Sequence, residues 1–337
     1  MTRFKRAFLQ ALCALIAADF TGHAWAGEPT QFDDKLAEQI VDQFGIVAGG
    51  AHKGYRANHA KGVLVSGQFE PAPGAAALSM AAHLQASPSP VLVRFSTSTG
   101  VPQIPDTDPN ANPFGMAIRF HLADGSDTDL VAISSPIFPA ANAQDFLAFL
   151  QAVAASGPAV AHPTPIERFV GTHPVAMRFV TTARALPTSF ADTAFFGLNT
   201  FTFTNAKGQV QYGRYRVSPV DGAKVQGAAA KPGPNYLFED LPSRLKQGPA
   251  RYRITVQLAG KGDAVNDSAT LWPEDRPQLE LGVLTLDTIV ADGPQRELRL
   301  AFNPLNVTEG IAASDDPLLL ARGASYPVSV SRRLRDQ

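Results

Sequence analysis

Arg322-Gly323-Ala324-Ser325-Tyr326-Pro327, near the carboxyl end, is the stretch on which the reading of this chain turns, and its counterpart is Arg56-Ala57-Asn58-His59-Ala60-Lys61-Gly62 near the amino end. An arginine four residues before a tyrosine shares its helical face. A guanidinium there favours phenolate over phenol, by its charge and by donating hydrogen bonds. In the amino-terminal stretch, His59 stands among cations and leads into an apolar run. The chain thus offers an anionic oxygen ligand at one end and an acid–base group at the other.

Between the two stretches lie short apolar or alternating runs, punctuated by turn residues. They cover residues 62–69, 91–96, 115–121, 129–134, 201–204, 210–217, 251–258, 279–287 and 297–302. Asn205-Ala206-Lys207-Gly208 joins two of them as a hairpin turn. Eight or so strands connected in this way predict an antiparallel barrel or sandwich. Helical spacing predicts helices over 31–44, 142–154, 165–183, 235–247 and 317–325, and residues 102–113 read as an irregular loop. The fold class is therefore α+β.

The first 26 residues have the pattern of an export signal. Arg3, Lys5 and Arg6 precede the apolar run 7–18, and Ala24-Trp25-Ala26 forms a cleavage site before Gly27. The mature chain, 27–337, is expected to be a single exported domain, periplasmic or secreted, cleaved near Ala26/Gly27. Cys13, the only cysteine, lies inside that signal. Disulfides, thiolate ligation and cysteine nucleophiles are thereby excluded from the mature chain. Removing the signal leaves 26 cations against 29 anions, a net charge of −3. With no basic stripe and no long apolar run, nucleic acid and a membrane span are not expected.

His59 is the candidate acid–base residue, able when neutral to accept a peroxide proton and return it to the leaving oxygen. Ser96, in Arg94-Phe95-Ser96-Thr97, can hydrogen-bond one imidazole nitrogen and fix the tautomer. Arg56, Arg94 and Arg333 can pair with carboxylates or form surface ion pairs. Phe146 and Phe149 have helical spacing, which fits either a packed core or a surface against a flat ligand. His52, His83, His121, His162 and His173 read as surface or packing residues. H-E-x-x-H, G-x-S-x-G, P-loop and C-x-x-C-H patterns are absent.

From about residue 31 to 333 the chain resembles the haem catalases, and most closely their small exported branch, the catalase-related peroxidases. The resemblance rests on Arg56 to Gly62, Val93 to Thr97, and Asp129-Leu130-Val131 leading to Pro136-Ile137-Phe138. It continues through Trp272-Pro273-Glu274-Asp275, Asn303-Pro304-Leu305-Asn306-Val307-Thr308 and Arg322-x-x-x-Tyr326-Pro327. It implies an antiparallel eight-stranded β-barrel with surrounding helices and a non-covalent haem b (iron protoporphyrin IX). Tyr326 would be the iron ligand, with Arg322 stabilising its phenolate. His59 and Ser96 would be catalytic, Arg56, Arg94 and Arg333 would hold the propionates, and Phe146 would lie near the macrocycle.

The implied activity is reduction of hydrogen peroxide or organic hydroperoxides by an organic electron donor, with weak or no dismutation. A true catalase, a hydroperoxide lyase or isomerase, and a non-catalytic haem-binding protein are the alternatives. Ile133 stands where the family places a distal asparagine, an amide that helps to position peroxide; Ser134 can replace it only if the backbone turns it inward. The chain ends eleven residues after Tyr326, without the long tail of larger catalases. A monomer or small homo-oligomer with an open pocket is expected.

Overall fold

Where apolar residues alternate with polar ones, the chain pairs into one antiparallel sheet that closes on itself. The structure, a computed structural model, describes residues 34–335 except 183 and 228. The expected signal, residues 1–26, lies outside the described residues. Eight strands close the barrel: β1 (Gly62–Pro71), β2 (Ser89–Ser96), β3 (Gly115–His121), β4 (Asp127–Ile133), β5 (Phe195–Phe196), β7 (Val210–Pro219), β8 (Ala250–Leu258) and β9 (Gln278–Ile289). Around the wall the order runs β7-β5-β4-β3-β2-β1-β9-β8, and β8 pairs back onto β7. Closure leaves the barrel no free edge. Outside it, β6 (Phe201–Thr204) extends β7, and β10 (Ile311–Ala313) extends β6.

Side chains that alternate inward fill the barrel with Val65, Val93, Phe95, Met116, Ile118, Leu130, Ala132, Val217, Tyr252, Ile254 and Leu284, all buried. The outward face is also covered. On one side α1 (Asp34–Val47), α3 (Ala143–Ala154), α4 (Pro165–Thr172), α5 (Pro174–Thr181) and α8 (Pro317–Arg335) build a second apolar cluster around Leu36, Ile40, Phe149, Leu150, Val170 and Ala321. Three further helices complete the described set: α2 (Ala75–Leu78), α6 (Tyr236–Leu245) and α7 (Gly293–Glu297). No described helix is long and apolar enough to cross a membrane.

The structure corrects three sequence expectations. The helix expected over 165–183 is two, broken where Pro174 has no N–H to donate. The last helix runs well beyond 325, through Pro327 to Arg335. The residue four before that proline is Gly323, which also lets Leu305 pack against the helix where a β-carbon would collide with it. Finally, 297–302 is no strand. Glu297 ends α7, and the carbonyls of Leu298 and Leu300 accept from Arg333 and Arg56 instead of joining a ladder.

His83 is a packing residue, buried at 4 % exposure between Phe69 and Phe120, and its Nδ1 has no hydrogen-bond partner among the described residues. Burial lowers its pKa from 6.5 to about 4. The unfolded chain therefore binds this proton more tightly, and stability is lost as pH falls from about 6.5 through about 4. The loss is on the order of 3 kcal/mol. His83→Phe, which keeps a ring between the two phenylalanines, is expected to move the acid-unfolding midpoint to lower pH. Circular dichroism against pH reads this, and an unmoved midpoint contradicts it.

Candidate active site

Alternation along β2 puts Phe95 inside the barrel and turns Arg94 and Ser96 outward. Opposite Ser96 on β3 stands Gly115, which in turn pairs with Ile133 on β4. These outward residues floor a cavity roofed by α1, α3 and α8. Its empty volume is about 1370 Å³, counting the mouth open to solvent. Arg56, His59, Arg94, Ser96, Phe146, Arg322, Tyr326 and Arg333 all line it. The structure thus brings every sequence-predicted site residue to one cavity, although 270 residues of chain separate Arg56 from Tyr326 at its two ends.

His59 adopts a left-handed backbone, φ 56°. For a residue with a β-carbon this costs about 1 kcal/mol or more, a strain found at functional positions. Ser96 Oγ lies 3.1 Å from Nδ1. Desolvation, followed by the positive charge of Arg94, lowers the His59 pKa to about 4. The imidazole is consequently neutral at physiological pH, as a base must be. Gly115 makes room for the pair: a β-carbon there would sit 2.5 Å from Ser96 Oγ and 2.9 Å from Nδ1.

The helical spacing of Arg322 and Tyr326 becomes a contact, with Arg322 Nη2 donating to Tyr326 Oη at 3.2 Å. The other arm of the guanidinium, Nη1, donates to Asn199 Oδ1. Asn199 Nδ2 donates to Asp316 at 2.9 Å, and Asp316 is wholly buried. Asp316 also accepts from the Leu318 N–H at the start of α8. A chain of side chains therefore fixes Arg322 behind the phenol. Sequence reasoning missed Asn199 and Asp316; Asp316, six residues before Arg322, had the position of a helix cap as its only signal.

Arg56, Arg94 and Arg333 meet at another part of the wall. Arg94 and Arg333 are 4 % and 2 % exposed. Arg94 Nη2 pairs with Glu297 at 2.9 Å, and Arg56 lies 3.8 Å from the same carboxylate. Among the described residues three buried N–H groups here still lack acceptors: Nε of Arg56, Nε of Arg94 and one Nη of Arg333. Burial first, then repulsion by Arg94, lowers the pKa of both Arg56 and Arg333. Three guanidiniums against one carboxylate leave a surplus of two positive charges, the complement of a dianion. Glu297 is a third partner that the sequence did not reveal.

Most of the remaining lining is apolar, with Ile40, Val41 and Phe44 of α1, Phe138, Phe196 and Leu198. Phe146 packs against Phe44 and Phe138 with ring centroids 5.8 and 4.9 Å away, so it belongs both to the helical core and to the cavity wall. Ile133 lines the cavity and Ser134 does not; the Ser134 hydroxyl accepts from the Phe114 N–H at 2.8 Å. Among the described residues no three His, Cys, Asp or Glu side chains cluster to hold a bare metal ion.

Comparison with known proteins agrees with this geometry. The model of the catalase family, described as "Catalase", matches residues 54–336. A catalase-related peroxidase of Mycolicibacterium paratuberculosis is 34 % identical over 295 residues, 85 % of this chain and 91 % of that protein. One from Synechococcus elongatus is 30 % identical over 338 residues, covering 97 % and 95 %. Catalase-2 of Bacillus subtilis is 32 % identical over 80 % of this chain but only 42 % of its own length. A fungal catalase structure superposes with TM-score 0.72 at 23 % identity, over 83 % of this chain and 60 % of that one. Catalase A of Saccharomyces cerevisiae gives 0.71 at 21 %, over 83 % and 61 %. The chain thus spans about three fifths of those solved catalases and nearly all of the two smaller relatives. With a closed barrel, a cavity on its outer wall and a family match over most of its length, this chain belongs to the catalase family.

Proposed function

We propose that this protein is a haem b peroxidase that reduces hydrogen peroxide or organic hydroperoxides at the expense of an organic donor. One observation carries the reading: the His59–Ser96 pair, the Arg322–Tyr326 pair and three arginines with unmet N–H groups all line one apolar cavity. A haem fits that set of residues. Its two carboxylates would meet the surplus of two positive charges and the three orphaned donors. The remainder of the macrocycle is apolar and aromatic, as is the wall. Tyr326 would supply the iron ligand, and with no C-x-x-C-H in the sequence the group would be held non-covalently.

Bound there, haem supplies an iron centre able to take two oxidising equivalents from a peroxide. The overall conversion is ROOH + 2H⁺ + 2e⁻ → ROH + H₂O. The protein's own part is to move a proton and exclude the wrong partners. Ser96 engages His59 Nδ1, which leaves Nε2 to accept the proton from the attacking hydroperoxide and return it to the departing oxygen. Arg322, braced by Asn199 and Asp316, donates a hydrogen bond to the Tyr326 oxygen and orients it as the would-be ligand. Ile133 offers no hydrogen bond to a second peroxide, which weighs against dismutation. The phenylalanines of the cavity lining suit alkyl hydroperoxides and an aromatic reductant.

Export to the periplasm as a monomer or small homo-oligomer completes the proposal, supported by the signal pattern in residues 1–26. An optical spectrum of the purified protein, combined with an oxygen electrode, tests the central reading. A haem absorption band is expected, with little oxygen evolved from peroxide alone and rapid oxidation of an added phenolic donor. Fast oxygen evolution without a donor would make the protein a catalase instead. Absence of haem, or a haem protein that neither evolves oxygen nor oxidises a donor, would defeat both.

A further inference from the structure

The cavity has few polar groups left to meet a substrate. Ser96 is occupied by His59, Ser325 by the Ala321 carbonyl, Ser329 by the Ala57 N–H and Asn199 by Arg322 and Asp316. Ile133 is hydrocarbon and Ser134 faces Phe114. Asn58 is different. The residue lines the cavity and is half-buried, and its carboxamide makes no hydrogen bond among the described residues. Ser268 is also unpaired, but it comes from the loop between β8 and β9, far along the chain from the base.

Asn58 immediately precedes His59. In extended backbone, neighbouring side chains point to opposite faces. The left-handed turn at His59 breaks that alternation, and both residues line the one cavity. The strain at His59 thus has a use that holding one imidazole would not require.

We propose that Asn58 supplies the amide that Ile133 cannot, as the group that positions the hydroperoxide beside His59. As His59 Nε2 takes the hydroperoxide proton, negative charge stays on the oxygen it leaves. Asn58 Nδ2–H donates to that oxygen. No covalent bond to the protein forms, and the proton returns from Nε2 to the leaving oxygen. Such a donor is worth most where the acceptor is charged and water is excluded. This inference rests on the haem peroxidase reading and adds the residue that selects the peroxide.

Fluoride is a suitable probe, because it is a small anion whose binding to ferric haem is read optically without turnover. In haem-loaded protein, Asn58→Ala is expected to weaken fluoride by about tenfold to a hundredfold. Asn58→Asp, of the same shape without donors, is expected to weaken it further. Asn58→Ser, which restores one donor, should recover part of the affinity, and the bimolecular rate with hydrogen peroxide should follow the same order. Variants that load haem fully yet bind fluoride within twofold of the wild type overturn the proposal and leave the peroxidase reading standing. So do variants that fail to load haem, which would make Asn58 a structural residue. A wild-type protein that takes up no haem overturns the peroxidase reading itself.

Discussion

Tyr326→Phe is expected to give a folded protein that retains little haem and loses activity by on the order of a hundredfold or more, since loss of a metal ligand costs more than loss of the residues that merely orient one. The change removes one oxygen and keeps the ring, so packing on α8 is preserved. Among the described residues that oxygen's hydrogen-bond partner is Arg322, which keeps Asn199. The absorbance ratio of haem to protein, measured together with peroxidase turnover, checks the result. Unchanged turnover would remove Tyr326 from the role of ligand and with it the purpose of the Arg322–Asn199–Asp316 chain.

His59→Ala has the second-largest expected effect, a fall of about two to four decades in the rate with hydrogen peroxide at undiminished haem content. Stopped-flow mixing separates this from donor oxidation. The pH profile adds a signature that a structural role would not produce. With its pKa lowered to about 4 by desolvation and by Arg94, His59 stays neutral from pH 7 down to about 5. The wild-type rate should therefore be flat over that range and decline as pH falls through about 4, where the base becomes protonated. In His59→Ala the decline should vanish along with most of the rate. A wild-type break near 6.5 would mean that burial does not act on this imidazole as described.

Much of the wall and of the site is visible in the sequence, for a physical reason. Strand alternation and the four-residue spacing of Arg322 and Tyr326 are local patterns, and local patterns survive folding. Strand β2 was legible because Val91, Val93 and Phe95 alternate with Arg94 and Ser96. Strands β5 and β10 were not, because two and three residues carry no period. The segment 297–302 has strand-like composition, but the guanidiniums of Arg56 and Arg333, distant in sequence, claim its carbonyls. Asn199, Glu297 and Gly115 were invisible because each acts through a partner that only the fold delivers. A glycine in a strand says nothing until Ser96 and His59 are seen pressing on it.

The strand that carries Phe95 between Arg94 and Ser96 presents two interiors at once, one on each side of a single peptide ribbon. Phe95 stacks on Phe190 inside the barrel with ring centroids 5.2 Å apart, while its neighbours on either side hold a base and a carboxylate-binding cation. Close-packed interiors transmit displacement instead of absorbing it. A methylene gained or lost around Phe190 would thus be felt as a rotation of Ser96, and then of the imidazole it steadies. A substitution in the hydrocarbon centre is therefore expected to register at an imidazole outside it, with no residue of the site itself changed.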